Sequence, residues 1–351
     1  MSRVHKALPL SLCRTLGLTL VLTQLVGCGG KSSGSDDQVS SDSPIPTVLP
    51  TPTPDPIATA QPDLCASGLE LPSTSLRTSE EYERVRNSVA LGSITTSGEF
   101  GGQTLEFPKL VCTRDPIIAN SSTVLGGITG LLAPVLLRSQ EIRIHSSLLK
   151  KVDLPQLTTI QNLVIFGGDS PELDISSLKK VDGNLRLAWI NALKTSESLT
   201  IGGDVHLQLM YSDKLGLPGK IKAARSLTVM DDFSGQLDFS QLETLEGDVN
   251  IMGNGMELKI VKFPKLKTIG GSVILGHEKP YNLTDRGNSG NAGLIKLEWN
   301  AIESIGGDIV IKENGFGSCR LLKLANELVK AKPSVLKGQV KVQFLLQDQC
   351  N

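Results

Sequence analysis

Four histidines, six cysteines and a scattered set of carboxylates are the residues of this 351-residue chain that could do chemistry, and their spacing restricts what that chemistry can be. His145 and His206 stand in alternating aliphatic runs, Ile142-Arg-Ile144-His145 and Val205-His206-Leu207, where successive side chains point to opposite faces. Both fall on outward positions three repeats apart, so at roughly 4.8 Å per repeat they are too distant to share a proton. A polysaccharide-cleaving site would need two carboxylates, or a base with a cation, converging on one groove. No such convergence is visible, and Gly-x-Ser-x-Gly, His-Glu-x-x-His and phosphate-loop patterns are absent. No catalytic residue is expected. Asn184, Asp204, Asp248, Ser272 and Asp308 recur at one turn position and raise the question of calcium, yet the Gly-Gly-x-Gly-x-Asp repeat is missing and Asn or Asp after Gly is ordinary turn chemistry. No metal and no cofactor are expected.

Non-covalent recognition is the chemistry that remains. Alternation places Arg143 and His145, Val164 and Phe166, Arg186 and Ala188, His206 and Gln208, Thr228 and Met230, Asn250 and Met252, and Ile274 on the outside of successive repeats. Phe166, Trp189, His206, Met230, Met252 and Ile274 make this face unusually apolar for one bathed in water, and they form the candidate binding face. The alternative is that the long 113–140 segment or a terminal helix covers them. A second candidate is the loop 276–293, where His277, Glu278, Tyr281, Asp285 and Arg286 supply polar groups; insertions in a repeat array become loops on one face, often the binding face. An idle tolerated loop is the other reading of that insertion.

The elements that must position these residues are written as one repeated pattern: an aliphatic residue, two or three turn residues, then aliphatic-x-aliphatic. It occurs as Ile160-Gln-Asn-Leu163-Val-Ile165, Val181-Asp-Gly-Asn-Leu185-Arg-Leu187, Ile201-Gly-Gly-Asp-Val205-His-Leu207, Leu245-Glu-Gly-Asp-Val249-Asn-Ile251, Ile269-Gly-Gly-Ser-Val273-Ile-Leu275 and Ile305-Gly-Gly-Asp-Ile309-Val-Ile311, with looser copies at Ile142 and Leu227. The first inward aliphatic falls at 142, 163, 185, 205, 227, 249, 273 and 309, a period near 22 broken by one step of 36. Such a period predicts a mainly β solenoid of parallel strands in which each coil stacks only on its neighbours. A second apolar cluster precedes each copy, as in Leu105-Glu-Phe107, Val152-Asp-Leu154, Leu173-Asp-Ile175, Leu237-Asp-Phe239, Leu258-Lys-Ile260 and Ile295-Lys-Leu297, and predicts another short strand per coil. Gly183, Gly203, Gly247, Gly271 and Gly307 share one corner, where a positive φ or a close backbone approach would exclude a side chain. Short capping helices are predicted at both ends: Thr78-Ser-Glu-Glu81 is a capping box opening Glu80–Val89, and Ser318–Lys332 carries Leu321, Leu322, Leu324, Ala325, Leu328 and Val329 on one stripe.

Outside the repeats, residues 1–27 read as a signal segment: Arg3, Lys6 and Arg14 precede an apolar run, Leu16–Val26, that is short for a membrane span. Residues 28–62 form a Ser-, Thr-, Pro- and Asp-rich tether, and 63–351 the solenoid with its caps. Removing three basic signal residues from 35 leaves 32 against 36 acidic ones, a balance with no electrostatic footprint for nucleic acid. Cys65 and Cys112 lie at the start of the solenoid and Cys319 and Cys350 at its end. Four cysteines allow three connectivities, but a solenoid keeps its ends apart, so the expected pairs are Cys65 with Cys112 and Cys319 with Cys350.

Two resemblances add to this reading. Leu25-Val-Gly-Cys28 resembles the lipobox of bacterial lipoproteins, which implies that Cys28 is lipidated and that the protein sits in a bacterial cell envelope. Gly29 and Gly30 in place of an Asp lean toward the outer membrane, with the periplasmic or surface face open. The pattern Leu-x-x-Ile-x-Gly-x-Leu-x-Ile in Leu242–Ile251, Leu266–Leu275 and Ile302–Ile311, with the N-terminal helix and terminal cysteine pairs, resembles the receptor L-domain, which implies a right-handed parallel β-helix of leucine-rich-repeat-like coils. It covers about 63–351 and specifies fold rather than ligand, since the repeated letters are core and corner positions. The expectation is a lipid-anchored binding or adhesion module for a protein or glycan. Alternatives are a structural envelope protein without a ligand and a carbohydrate-active β-helix enzyme.

Overall fold

The computed structural model describes residues 71–343 apart from 97–101, 121–126, 169–170, 209–216, 218–219, 232–234, 256, 277–289, 292 and 313–317. Its strands stack in parallel as a β-solenoid. One register runs through Ile142, Leu163, Leu185, Val205, Leu227, Val249, Val273 and Ile309, the eight rungs that the sequence pattern marks. The paired inward aliphatics of these rungs, from Ile142 and Ile144 to Ile309 and Ile311, are no more than 2% exposed. Alternation and β-branched side chains therefore set the register, because a slip by one residue would turn every aliphatic outward.

The same ladder extends beyond the marked rungs. Thr74 pairs with Ile94, Ile94 with Ile117 and Ile117 with Ile142 at one end, while Val340 pairs with Ile309 at the other. The 113–140 segment is therefore not a covering loop: it supplies the strands Ile117–Asn120 and Gly130–Leu132 of a coil of its own. The preceding strands form a second face in two blocks, one from Thr104–Glu106 to Ala192–Thr195 and one from Gln236–Asp238 to Lys296–Glu298. In the latter block Val261 and Leu297, not Leu258 and Ile295, align with Leu237. Ile295 is 48% exposed, because Leu258 and Leu294 take the buried place three residues before the strand centre instead.

Between the two faces the chain turns with main-chain bonds three residues apart, Leu110 to Phe107, Leu157 to Leu154, Leu178 to Ile175 and Leu242 to Phe239. Those leucines are fully buried and stack coil on coil, as do Phe239 and Phe263, whose rings lie 5.1 Å apart. The capping box is present, with Thr78 accepting from the Glu81 amide, and opens helix α1 (Ser79–Val85). This helix stops short of the expected Val89 because Ala90 and Leu91 are taken into a strand beside Cys112 and Thr113. Helix α2 (Ser318–Ala331) closes the other end over Leu321, Ala325 and Leu328.

The corner glycines have a specific cause. Asn162 Oδ1 accepts the Asn184 amide at 2.9 Å, Asn184 Oδ1 the Asp204 amide at 2.9 Å, Asp248 Oδ1 the Ser272 amide at 2.7 Å, Ser272 Oγ the Asp308 amide at 3.1 Å and Asp308 Oδ1 the Gln339 amide at 2.9 Å. Each of these side chains reaches forward one coil and fills the space beside the next corner. A Cβ on Gly271 would lie 2.1 Å from Asp248 Oδ1 and 2.8 Å from the Gly247 carbonyl carbon. Close approach, not positive φ, excludes a side chain here, since the positive-φ glycines lie elsewhere. Gly271→Ala is expected to lower unfolding stability by about 1–3 kcal/mol, whereas Gly235→Ala, with open space around its Cβ, stays within about 0.5 kcal/mol. Urea unfolding of the two variants beside the parent measures this; equal midpoints for all three would remove the corner constraint.

Candidate functional site

The outward columns of the ladder divide the predicted binding face into two parts. Phe166, Ala188, Gln208, Met230 and Met252 share one column, and Val164, Arg186, His206, Thr228, Asn250 and Ile274 share the next. Met252 is only 6% exposed, so it is a packing residue rather than a surface one, while Phe166, His206, Met230 and Ile274 are half-buried. Ala188, 1% exposed, and Gln208 separate Phe166 from Met230, so the aromatic residues and the methionines do not form one continuous patch.

At the aromatic end the structure brings together residues that the sequence placed on separate repeats. Phe166 is the register partner of His145, and their rings meet edge to face with centroids 4.5 Å apart. Trp189, 37% exposed, joins them around an open cleft of about 400 Å³ that Ser146, Ser147, Gly167 and Gly168 complete. A second cleft of about 400 Å³ shares His145 and Phe166 and continues over Glu141, Arg143, Asn162, Val164, Asn184 and Arg186. His145, Arg143, Asn162 and Asn184 were legible only as outward or corner letters; knowing the register would have shown them to be neighbours.

Charge in this region is mostly compensated. Arg143 pairs with Glu141 at 2.5 Å, and Arg225 pairs with Asp204, whose carboxyl is held below the usual range chiefly by that hydrogen bond. Arg186 has no carboxylate within 4.0 Å among the described residues. Burial, and after it the positive charge of Arg143, pushes the His145 imidazole below its ordinary 6.5. Burial also lowers His206, with Arg186 adding to the effect and a hydrogen bond with Gln208 and the charge of Asp231 opposing it. His145 and His206 lie in different columns three rungs apart, so the structure does not bring them together.

Trp189 also carries backbone strain. Its φ is +58°, in the left-handed region that a bulky side chain rarely occupies. Asp231 at +52° and Gly253 at +66° follow the equivalent strand positions in later coils, so this turn is a property of the fold that glycine satisfies without strain.

The ends of the long insertion are tied down. Asn291, fully buried, donates to the Ile251 carbonyl at 2.7 Å and accepts from Asn254 Nδ2 at 2.8 Å, while Gly255 exchanges main-chain bonds with Gly290 and Gly293 at 2.8 Å. His277, Glu278, Tyr281, Asp285 and Arg286 lie outside the described residues, as do Cys28, Cys65 and Cys350. Cys112 is buried on its strand and Cys319 is half-buried in α2. Among the described residues no group of three His, Cys, Asp or Glu side chains could hold a metal ion, and no helix is long and apolar enough to cross a membrane. No known protein family, curated protein or solved structure matches the chain.

Two measurements follow from this geometry. Because the folded pKa values of His145 and His206 are lowered, the unfolded chain takes up more protons as pH falls through about 6.5, and stability drops in that window. Thermal midpoints should fall between pH 7 and pH 5, and His145→Gln with His206→Gln should flatten that slope; an unchanged slope overturns the assignment. In Trp189→Gly the relief of left-handed strain, about 1–2 kcal/mol, offsets the loss of indole packing, so its midpoint should match or exceed that of the parent. Trp299→Ala, by contrast, empties a site only 6% exposed and should cost about 3–5 kcal/mol.

Proposed function

We propose that the protein is a lipid-anchored extracytoplasmic lipoprotein whose solenoid, with a receptor L-domain-like repeat, is a non-enzymatic binding or adhesion module for a protein or a glycan. The observation that carries this reading is the pair of joined clefts, in which an exposed Trp189, Phe166 and His145 adjoin Arg143 and Arg186 on an otherwise regular stack of coils. Concave apolar surface with a few convergent polar groups is the usual form of a binding site. The core letters are committed to packing, and among the described residues Glu141, which lines the clefts, is paired with Arg143 and Asp204 with Arg225, which favours recognition over hydrolysis.

The anchor in this proposal is Cys28, freed by cleavage after residue 27, and residues 28–62 hold the solenoid away from the membrane, most simply the outer membrane. Cys65 pairs with Cys112 and Cys319 with Cys350.

Envelope pull-down and a glycan array with the full chain, repeated with Phe166→Asp, test the module. Capture should fall about ten-fold or more in the variant while the thermal midpoint holds. Capture unchanged by Phe166→Asp would remove the clefts from the reading, and turnover of any arrayed polysaccharide would return it to an enzyme. Cys28→Ser should abolish incorporation of labelled palmitate and release the protein from the membrane fraction.

A further inference from the structure

We propose that the joined clefts form a subsite for an acidic sugar: the ring stacks on the aromatic group of Trp189, Phe166 and His145 while its carboxylate pairs with Arg186. The proposal rests on the binding-module reading and names its ligand class.

Trp189 is the first argument. The turn after this strand demands a left-handed backbone in several coils, and Gly253 meets the demand without strain. At the equivalent place the chain carries the largest side chain available, strained at φ +58° and 37% exposed rather than buried. Neither backbone preference nor core packing accounts for an indole there, and strain kept at an exposed aromatic is a mark of recognition surfaces.

The second argument is the character of the adjoining wall. A sugar presents an apolar face of C–H groups and a rim of hydroxyls. The aromatic cleft suits the face, and the neighbouring cleft offers the planar amides of Asn162 and Asn184 and the guanidinium of Arg186 to the rim. Both asparagines give their Oδ1 to the corner ladder, and their Nδ2 groups have no protein partner among the described residues.

Charge selects an acidic sugar over a neutral one. Arg143 is neutralised by Glu141, whereas Arg186 has no carboxylate within 4.0 Å among the described residues and acts on Asp204 only at longer range, Asp204 being held directly by Arg225, so Arg186 is the guanidinium of the clefts without a contact ion pair. The two nearby imidazoles are held toward the neutral form by burial. Arg186 precedes Ala188 by two residues on one strand, which places it roughly 7 Å along the strand from the aromatic column. That distance is on the scale of one sugar ring with its substituents.

Calorimetric titration of the full chain with a uronate trisaccharide, and with the same trisaccharide methyl-esterified, tests the assignment. The parent should bind the acid about ten-fold more tightly than the ester. Arg186→Gln should erase the preference, and Trp189→Gly should weaken both sugars without lowering the thermal midpoint. Lys312→Gln, on a distant rung, should change neither. Equal binding of acid and ester, binding of neither at millimolar concentration, or a preference that survives Arg186→Gln overturns the proposal. Should neither sugar bind while envelope capture stays dependent on Phe166, the ligand class falls and the binding module stands; should capture also be absent, both fall.

Discussion

The rest of the structure depends on the bond by which one coil's corner side chain holds the next coil's amide. Asn184 accepts from Asp204, Asp248 from Ser272, and Ser272 from Asp308, each oxygen lying where the next corner glycine would otherwise carry a Cβ. The bond satisfies a main-chain donor that the turn would leave unpaired, and buried unpaired donors are costly. It also fixes the stagger between coils at a single value. Alternation of the buried aliphatics forbids a slip by one residue but not by two, because hydrophobic burial is non-directional. The corner therefore converts a general tendency to stack into one register.

Once the register is fixed, the outward positions are placed without taking part in folding. Inward letters and corner letters are nearly constant along the chain, while the outward ones run from Arg143 to Phe166 to His206 to Ile274. A coil can change them at little cost in stability, which makes the outer face the part of the molecule free to hold a specific chemistry. Trp189 is the exception, since it is an outer residue at which the backbone conformation opposes the side chain. At the methionine end the same left-handed position is taken by Asp231 and Gly253, types that tolerate it better than tryptophan, and Met252 belongs to the packing.

Eight rungs could be read directly because each presents an aliphatic pair next to a turn signal, usually one containing glycine. The rungs at Thr74, Ile94 and Ile117 lack that pattern, with Thr74-Ser-Leu76 and Ile94-Thr-Thr96 mixing polar residues into the strand, whereas Leu336-Lys-Gly-Gln-Val340-Lys-Val342 carries it but stands apart from the other copies behind α2. Terminal coils bury one side only and need fewer aliphatic letters, so their pattern is faint. The strand at Ile260–Lys262 shows the opposite error, where Leu258-Lys-Ile260 alternates as a strand should, yet the pairing with Leu237 falls on Val261. Local alternation there was ambiguous by one residue, and only the neighbouring coil resolved it.

The sequence by itself determined the solenoid, its period, the inward aliphatics and the corner glycines, because these repeat and each repeat is constrained by the same physical demand. It also named most of the outer residues. Which of them meet was decided by the stacking of coils about 21 residues apart in the chain, which set the His145 ring against Phe166 and placed Arg143 and Arg186 along one cleft. The left-handed backbone at Trp189 was likewise invisible in the chain, since it arises from the turn that stacking imposes and not from the preference of tryptophan. Contacts between coils depend on register, and register is a property of the pair of coils rather than of either one.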